Sequence, residues 1–269
     1  MNVAPALVAK RLHDEVCAVL TQLGGTPVEQ LIADRKFQKR ADIYFEKERA
    51  VFEVKSLTED YARSAKFERK ARRMYDGWAR QGFVPVRRSE HLRLNTHQLP
   101  RRQAHELIRA MGDPIQSHLK TASGQINATR LKLDAADAAG VLVLVAPNDL
   151  SLGAGGILYN LSHLLRASVV KPNGEQAYSG VDDVFLITVP LPDRQGSLRP
   201  VVGHVDRTGA RRLAPEFVDC IITGWVSHYR DRLGQDFAVL VDMPEEALFD
   251  MYYRASGAVS SYAEERGAR

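Results

Sequence analysis

Three charged residues stand at the ends of two short apolar runs in the stretch "ADIYFEKERAVFEVKSL". Asp42 opens the first run, and Glu53 and Lys55 close the second. The charged tip between them, Glu46 to Arg49, reads as a turn, so the two runs form an antiparallel hairpin. In a hairpin the start of the first strand lies beside the end of the second. Glu53 and Lys55 are two apart and project from the same face of their strand. The spacing therefore predicts two carboxylates and an ammonium converging at one sheet edge. Two carboxylates and the backbone carbonyl of Val54 are hard oxygen donors of the kind Mg²⁺ takes, with Mn²⁺ as a substitute. A metal held there would strengthen a bound water as a nucleophile and offset charge building on phosphorus. Lys55 could orient or deprotonate that water, or neutralise the charge. The plainer reading is a cross-strand ion pair on a solvated face, since short motifs often match by chance.

The elements that must position these groups can be read along the chain. Residues 5–23 carry Leu12, Val16, Val19, Leu20 and Leu23 at helical spacing, and Gly24-Gly25 ends the run. The hairpin follows. Residues 62–80 favour a helix, with Phe67, Ala71, Met74, Tyr75 and Trp78 as its apolar face, and 103–111 favour a second, shorter one. A further helix starts at Asp113-Pro114. "GVLVLVA" (140–146) and "DDVFLITVP" (182–190) are continuous apolar runs of the kind found in buried, parallel strands. Val201–Val205 reads as a short edge strand, 215–233 as a helix, 237–241 as a strand and 245–265 as a helix. The pattern is α/β with a mixed sheet in one domain spanning 1–269, and residues 59–112 form a helical insertion within it.

In this arrangement the chain resembles the PD-(D/E)XK, or restriction-endonuclease-like, nuclease superfamily. That family places a helix before a hairpin bearing Asp and ExK, followed by a third strand, a helix and a fourth strand. Asp42 matches the first acid and Glu53-Val54-Lys55 the ExK, while Ala41 stands where a proline is usual. The match is close over residues 5–57 and rests on element order over 113–190. The resemblance implies a restriction-endonuclease-like core and a Mg²⁺-dependent endonuclease. It places Glu15, in "LHDEVCAVLTQLGG", at the metal, with Asp14 as the substitute. It also suggests an accessory Gln or Lys from the helix after the core, for which Lys120 and Gln125 are the candidates beside their reading as solvated positions.

Charge distribution bears on the partner. The chain nets +4. Between Asp60 and Gly112, however, 13 basic residues face 5 acidic ones. Arg69, Lys70, Arg72 and Arg73 fall on about one helical turn and could hold a phosphate backbone without reading sequence. A solvated helix face is the equal alternative. Phe67, Tyr75 and Trp78 are read as core rather than as stacking platforms for bases. The glycines of "LGAGGILYNL" (152–161) lack P-loop or dinucleotide spacing and read as a turn and helix cap. The eight histidines show no HxxxH or HExxH pair and are not joined with Cys17 or Cys220, so no zinc site is expected. The two cysteines read as buried free thiols, no apolar run approaches the ~20 residues that span a bilayer, and charge arrives early at the start. The expectation is a cytoplasmic protein with no membrane segment. Nucleic acid is the expected partner, DNA ahead of RNA, and cutting two strands would suit a homodimer. The alternative is a non-catalytic nucleic-acid-binding or protein-interaction module on the same fold.

Overall fold

The computed structural model describes residues 5–34, 37, 39–85, 96–147, 150–166, 169–189, 200–207, 213–234 and 236–253. Among these residues a sheet of seven strands runs in the order β1 to β7: β1 (Thr26–Pro27), β2 (Ile43–Phe45), β3 (Ala50–Ser56), β4 (Ala139–Pro147), β5 (Asp183–Val189), β6 (Val201–Asp206) and β7 (Ala238–Val241). Strands β3, β4 and β5 are parallel, as are β6 and β7; the other neighbours are antiparallel. The hairpin is as the pattern implies, with Ile43 opposite Phe52 and Phe45 opposite Ala50. Strand β6 is not an edge: it lies between β5 and β7. Its polar flanks hide this, because β7 lies more than 30 residues further along the chain.

Helices cover both faces. On one side lie α1 (Pro5–Gln22) and α7 (Pro215–Leu233). On the other lie α3 (Ala65–Arg80), α4 (Arg101–Met111), α5 (Asp113–Lys132), α6 (Gly153–Leu164) and the helical residues 245–253. A single turn, α2 (Val28–Leu31), follows β1. Alternation along β3 decides what meets what. Ala50, Phe52 and Val54 point into the α1–α7 core, and Val51 points into the α5 core. By the same period Glu53 and Lys55 face α5. Phe45, Phe52 and Phe217 form a ring cluster with centroids 5.0 to 6.2 Å apart that fastens the hairpin to α7. Each such pair adds about 0.5–1.5 kcal/mol beyond burial.

The insertion shares the main core. Phe67, Ala71, Tyr75 and Trp78 are buried against the same cluster as Leu107, Ile108 and Leu142, so the aromatics are core, as their spacing implies. The glycines of the 152–161 stretch are also structural: a Cβ on Gly155 would stand 2.6 Å from Met251, so its absence lets α6 approach residues 248–252. Both cysteines are free, but Cys17 is only half-buried and Cys220 is exposed on α7, contrary to their reading as buried thiols. Among the described residues, no helix is long and apolar enough to cross a membrane. Arg87, Arg88 and Arg93 of the insertion, and the tail beyond Tyr253, lie outside the described residues.

Candidate active site

The edge of the sheet at the open end of the hairpin gathers Asp42, Glu53 and Lys55. Beyond Ile43 the Asp42 N–H still donates to the Phe52 carbonyl at 3.0 Å, and the side chain adds a second tie: its Oδ2 accepts from the Val54 N–H at 2.7 Å. That bond holds the first acid beside the ExK segment. Glu53 is 1% exposed and pairs through Oε1 with the Lys55 ammonium. Lys55 Nζ also donates to Gln125 Oε1 at 2.8 Å, and Gln125 Nε2 donates to the Arg40 carbonyl at 2.9 Å. Gln125 thus ties α5 to the residues just before Asp42, which fixes the lysine between strand and helix.

The electrostatics are unbalanced. Burial, and then the neighbouring Asp42 charge, push the Glu53 carboxyl up to about 8, against the opposing pull of Lys55. Its second oxygen, Oε2, is buried and has no hydrogen-bond partner among the described residues. A buried acceptor left open costs free energy on the order of 1–3 kcal/mol. A cation at this edge would relieve both the unpartnered oxygen and the Asp42–Glu53 repulsion, so the donor set fits a hard divalent ion.

The helix-borne glutamate does not join this cluster. Glu15 turns toward α7, where its Oε1 accepts from His228 Nε2 at 3.0 Å and pairs with Arg232. Asp14 is largely exposed. The α1 residue that reaches the site is His13, whose Nε2 lies 3.2 Å from Asp42 Oδ1. That hydrogen bond, with a second to Cys17, raises the imidazole to about 11, so His13 is a cation at neutral pH. Helix geometry explains the exchange: two residues apart on a helix means nearly opposite faces, so His13 and Glu15 cannot serve one site. Lys120 is exposed and makes none of these contacts, whereas Gln125 does.

His118 was not a sequence candidate. It precedes Gln125 by two helical turns and therefore shares its face. Burial first, and then the charge of Lys55, hold its imidazole below the ordinary range, which leaves a neutral ring beside the lysine. The seven-residue interval between the two was the available signal. The interval of four between His13 and Cys17, on one face of α1, was likewise readable in the sequence.

The basic insertion is only partly free to meet a partner. Lys70 Nζ is engaged by Asp113 at 2.7 and 2.9 Å and clamps α3 to the start of α5. Arg72 is half-buried, while Arg69 and Arg73 are exposed. Together with exposed Lys66 and Arg80 they form a stripe along α3, interrupted by Asp76. No family model, curated protein or solved structure matches this chain.

Proposed function

We propose that this chain hydrolyses phosphodiester bonds of nucleic acid, DNA ahead of RNA, as a Mg²⁺-dependent endonuclease with a restriction-endonuclease-like core. The observation that carries the reading is the pairing of Asp42 with a buried, half-satisfied Glu53, joined by Lys55, at the open end of the β2–β3 hairpin. Asp42, Glu53 and the Val54 carbonyl would hold the ion. The ion supplies charge neutralisation and a more acidic bound water. Gln125 keeps Lys55 aimed at this edge, where its ammonium can stabilise a developing oxyanion or exchange a proton with the nucleophile. Neutral His118 offers a proton acceptor next to Lys55. The exposed α3 stripe supplies the grip on the phosphate backbone.

The test is cleavage of closed circular DNA with Mg²⁺, which reads internal cuts directly. Asp42→Asn and Lys55→Ala should each lower the rate by about 100-fold or more while far-UV circular dichroism is unchanged. Full-rate, metal-dependent cutting by both variants would remove the assignment. DNA binding that ignores Mg²⁺, with no cleavage by the unaltered protein, would support the non-catalytic module instead.

The α3 stripe gives a separate expectation. Replacing Lys66, Arg69 and Arg73 by Glu should weaken DNA binding at low salt and flatten its salt dependence. The slope of log K against log salt should fall by roughly 0.7–0.9 for each phosphate that is no longer neutralised. An unchanged slope in fluorescence anisotropy would show that the backbone is held elsewhere.

A further inference from the structure

Beside the oxygen donors, α1 brings a second and chemically different set of ligand atoms to the same edge. His13 and Cys17 are one turn apart, so their side chains lie one above the other. The His13 ring is used from both ends. Its Nε2 meets Asp42 Oδ1 at 3.2 Å, and its Nδ1 faces Cys17 Sγ at 3.9 Å. Asp14 Oδ1 lies 3.5 Å from the same Nδ1. The ligand atoms of His13, Cys17 and Asp42 all lie within 4.8 Å of one another. A tetrahedral zinc ion, with bonds of about 2.3 Å to sulfur and 2.0 Å to nitrogen, would set those two atoms roughly 3.5 Å apart. The His13–Cys17 separation is close to that value.

We propose that His13, Cys17 and Asp42 form a binding site for a zinc-class divalent ion, completed by solvent or by the exposed carboxylate of Asp14. A thiolate with an imidazole selects borderline-soft ions over Mg²⁺, so this set is distinct in preference from the all-oxygen donors around Glu53. Binding displaces the thiol proton and a ring proton of His13 to solvent, and the Asp42 carboxylate exchanges its hydrogen bond with the His13 ring for the shared ion. Asp42 belongs to both sets, so the two ions compete for it. The site stands on the geometry of α1 and of the residue that precedes β2, and does not depend on phosphodiester hydrolysis.

Cobalt reads this site directly, because a Co²⁺–thiolate bond gives a near-ultraviolet charge-transfer band that oxygen ligands do not. Titrating the full chain with Co²⁺ should show that band, saturating at one ion per chain and reversed by Zn²⁺. Cys17→Ser should abolish it and His13→Gln should weaken binding by about 10-fold or more. Cys220→Ser and Glu53→Gln should both retain it, the latter separating this site from the oxygen set. In the unaltered protein, Zn²⁺ should slow alkylation of Cys17 and leave that of Cys220 unchanged, read by peptide mass. No band with the unaltered protein, a band surviving in Cys17→Ser, or alkylation of Cys17 indifferent to Zn²⁺ would overturn the proposal.

Discussion

Glu53→Gln is expected to destroy Mg²⁺-dependent cleavage and, in the same protein without metal, to raise thermal stability at alkaline pH. The two effects have one cause. Glu53 is buried beside Asp42, and its carboxyl is pushed up to about 8 from an ordinary 4.5. The folded chain therefore holds a proton in this window that the unfolded chain has released. Where the folded state binds more protons, stability falls as pH rises. For this group the loss begins near 4.5, grows as pH rises toward 8 and then levels off. At about 1.4 kcal/mol for each pH unit of the window, the penalty is on the order of a few kcal/mol. Gln carries no charge and escapes it. Thermal melts in chelator between about pH 5 and pH 9 should therefore show the variant gaining on the unaltered protein as pH rises. Parallel curves would mean that Glu53 ionises normally. Loss of cleavage without the gain in stability would leave the metal role and remove the electrostatic account.

The second large effect lies away from the site. Asp182 Oδ2 accepts from Arg130 at 2.6 Å and from the Gly140 N–H at 2.8 Å, with both charged side chains almost fully buried. This one oxygen joins α5 to the start of β4. A Cβ on Gly140 would sit 1.8 Å from the Gly180 carbonyl, so the backbone there is already as close as it can come. Asp182→Ala strands a buried guanidinium and a backbone donor together, a loss of about 3–5 kcal/mol. At roughly 2–4 °C per kcal/mol for a chain of this size, the melting midpoint should drop by about 10 °C. A drop below ~2 °C would show that Arg130 is held instead by Asn127 Oδ1, now 3.3 Å from Nη1.

Several features follow from local pattern alone. Apolar runs without alternation must be buried on both faces, which identifies β4 and β5 as interior strands. A period of two puts Glu53 and Lys55 on one face, and antiparallel pairing puts Asp42 beside them. Pro near the start of α5 and of α7 marks both helix beginnings. These inferences need only neighbours in sequence or across one turn, so the Asp42, Glu53 and Lys55 grouping was legible before any fold was known.

Partners across the fold were not legible. Which α1 residue reaches Asp42 depends on the rotation of that helix against α7, where His228 and Arg232 claim Glu15 and leave the other face, with His13 and Cys17, for the hairpin. Lys120 and Gln125 are equal candidates by residue type, yet only Gln125 faces Lys55, because the packing of α5 on β3 sets which side points inward. The basic run of α3 reads as one patch, but Asp113 removes Lys70 from it. Sequence determined the hairpin and its three charges through the fixed periods of strand and turn. Tertiary structure alone decided which groups complete the site, because helix rotation is set by the sum of core contacts and by contacts such as that of Glu15 with His228, 213 positions away.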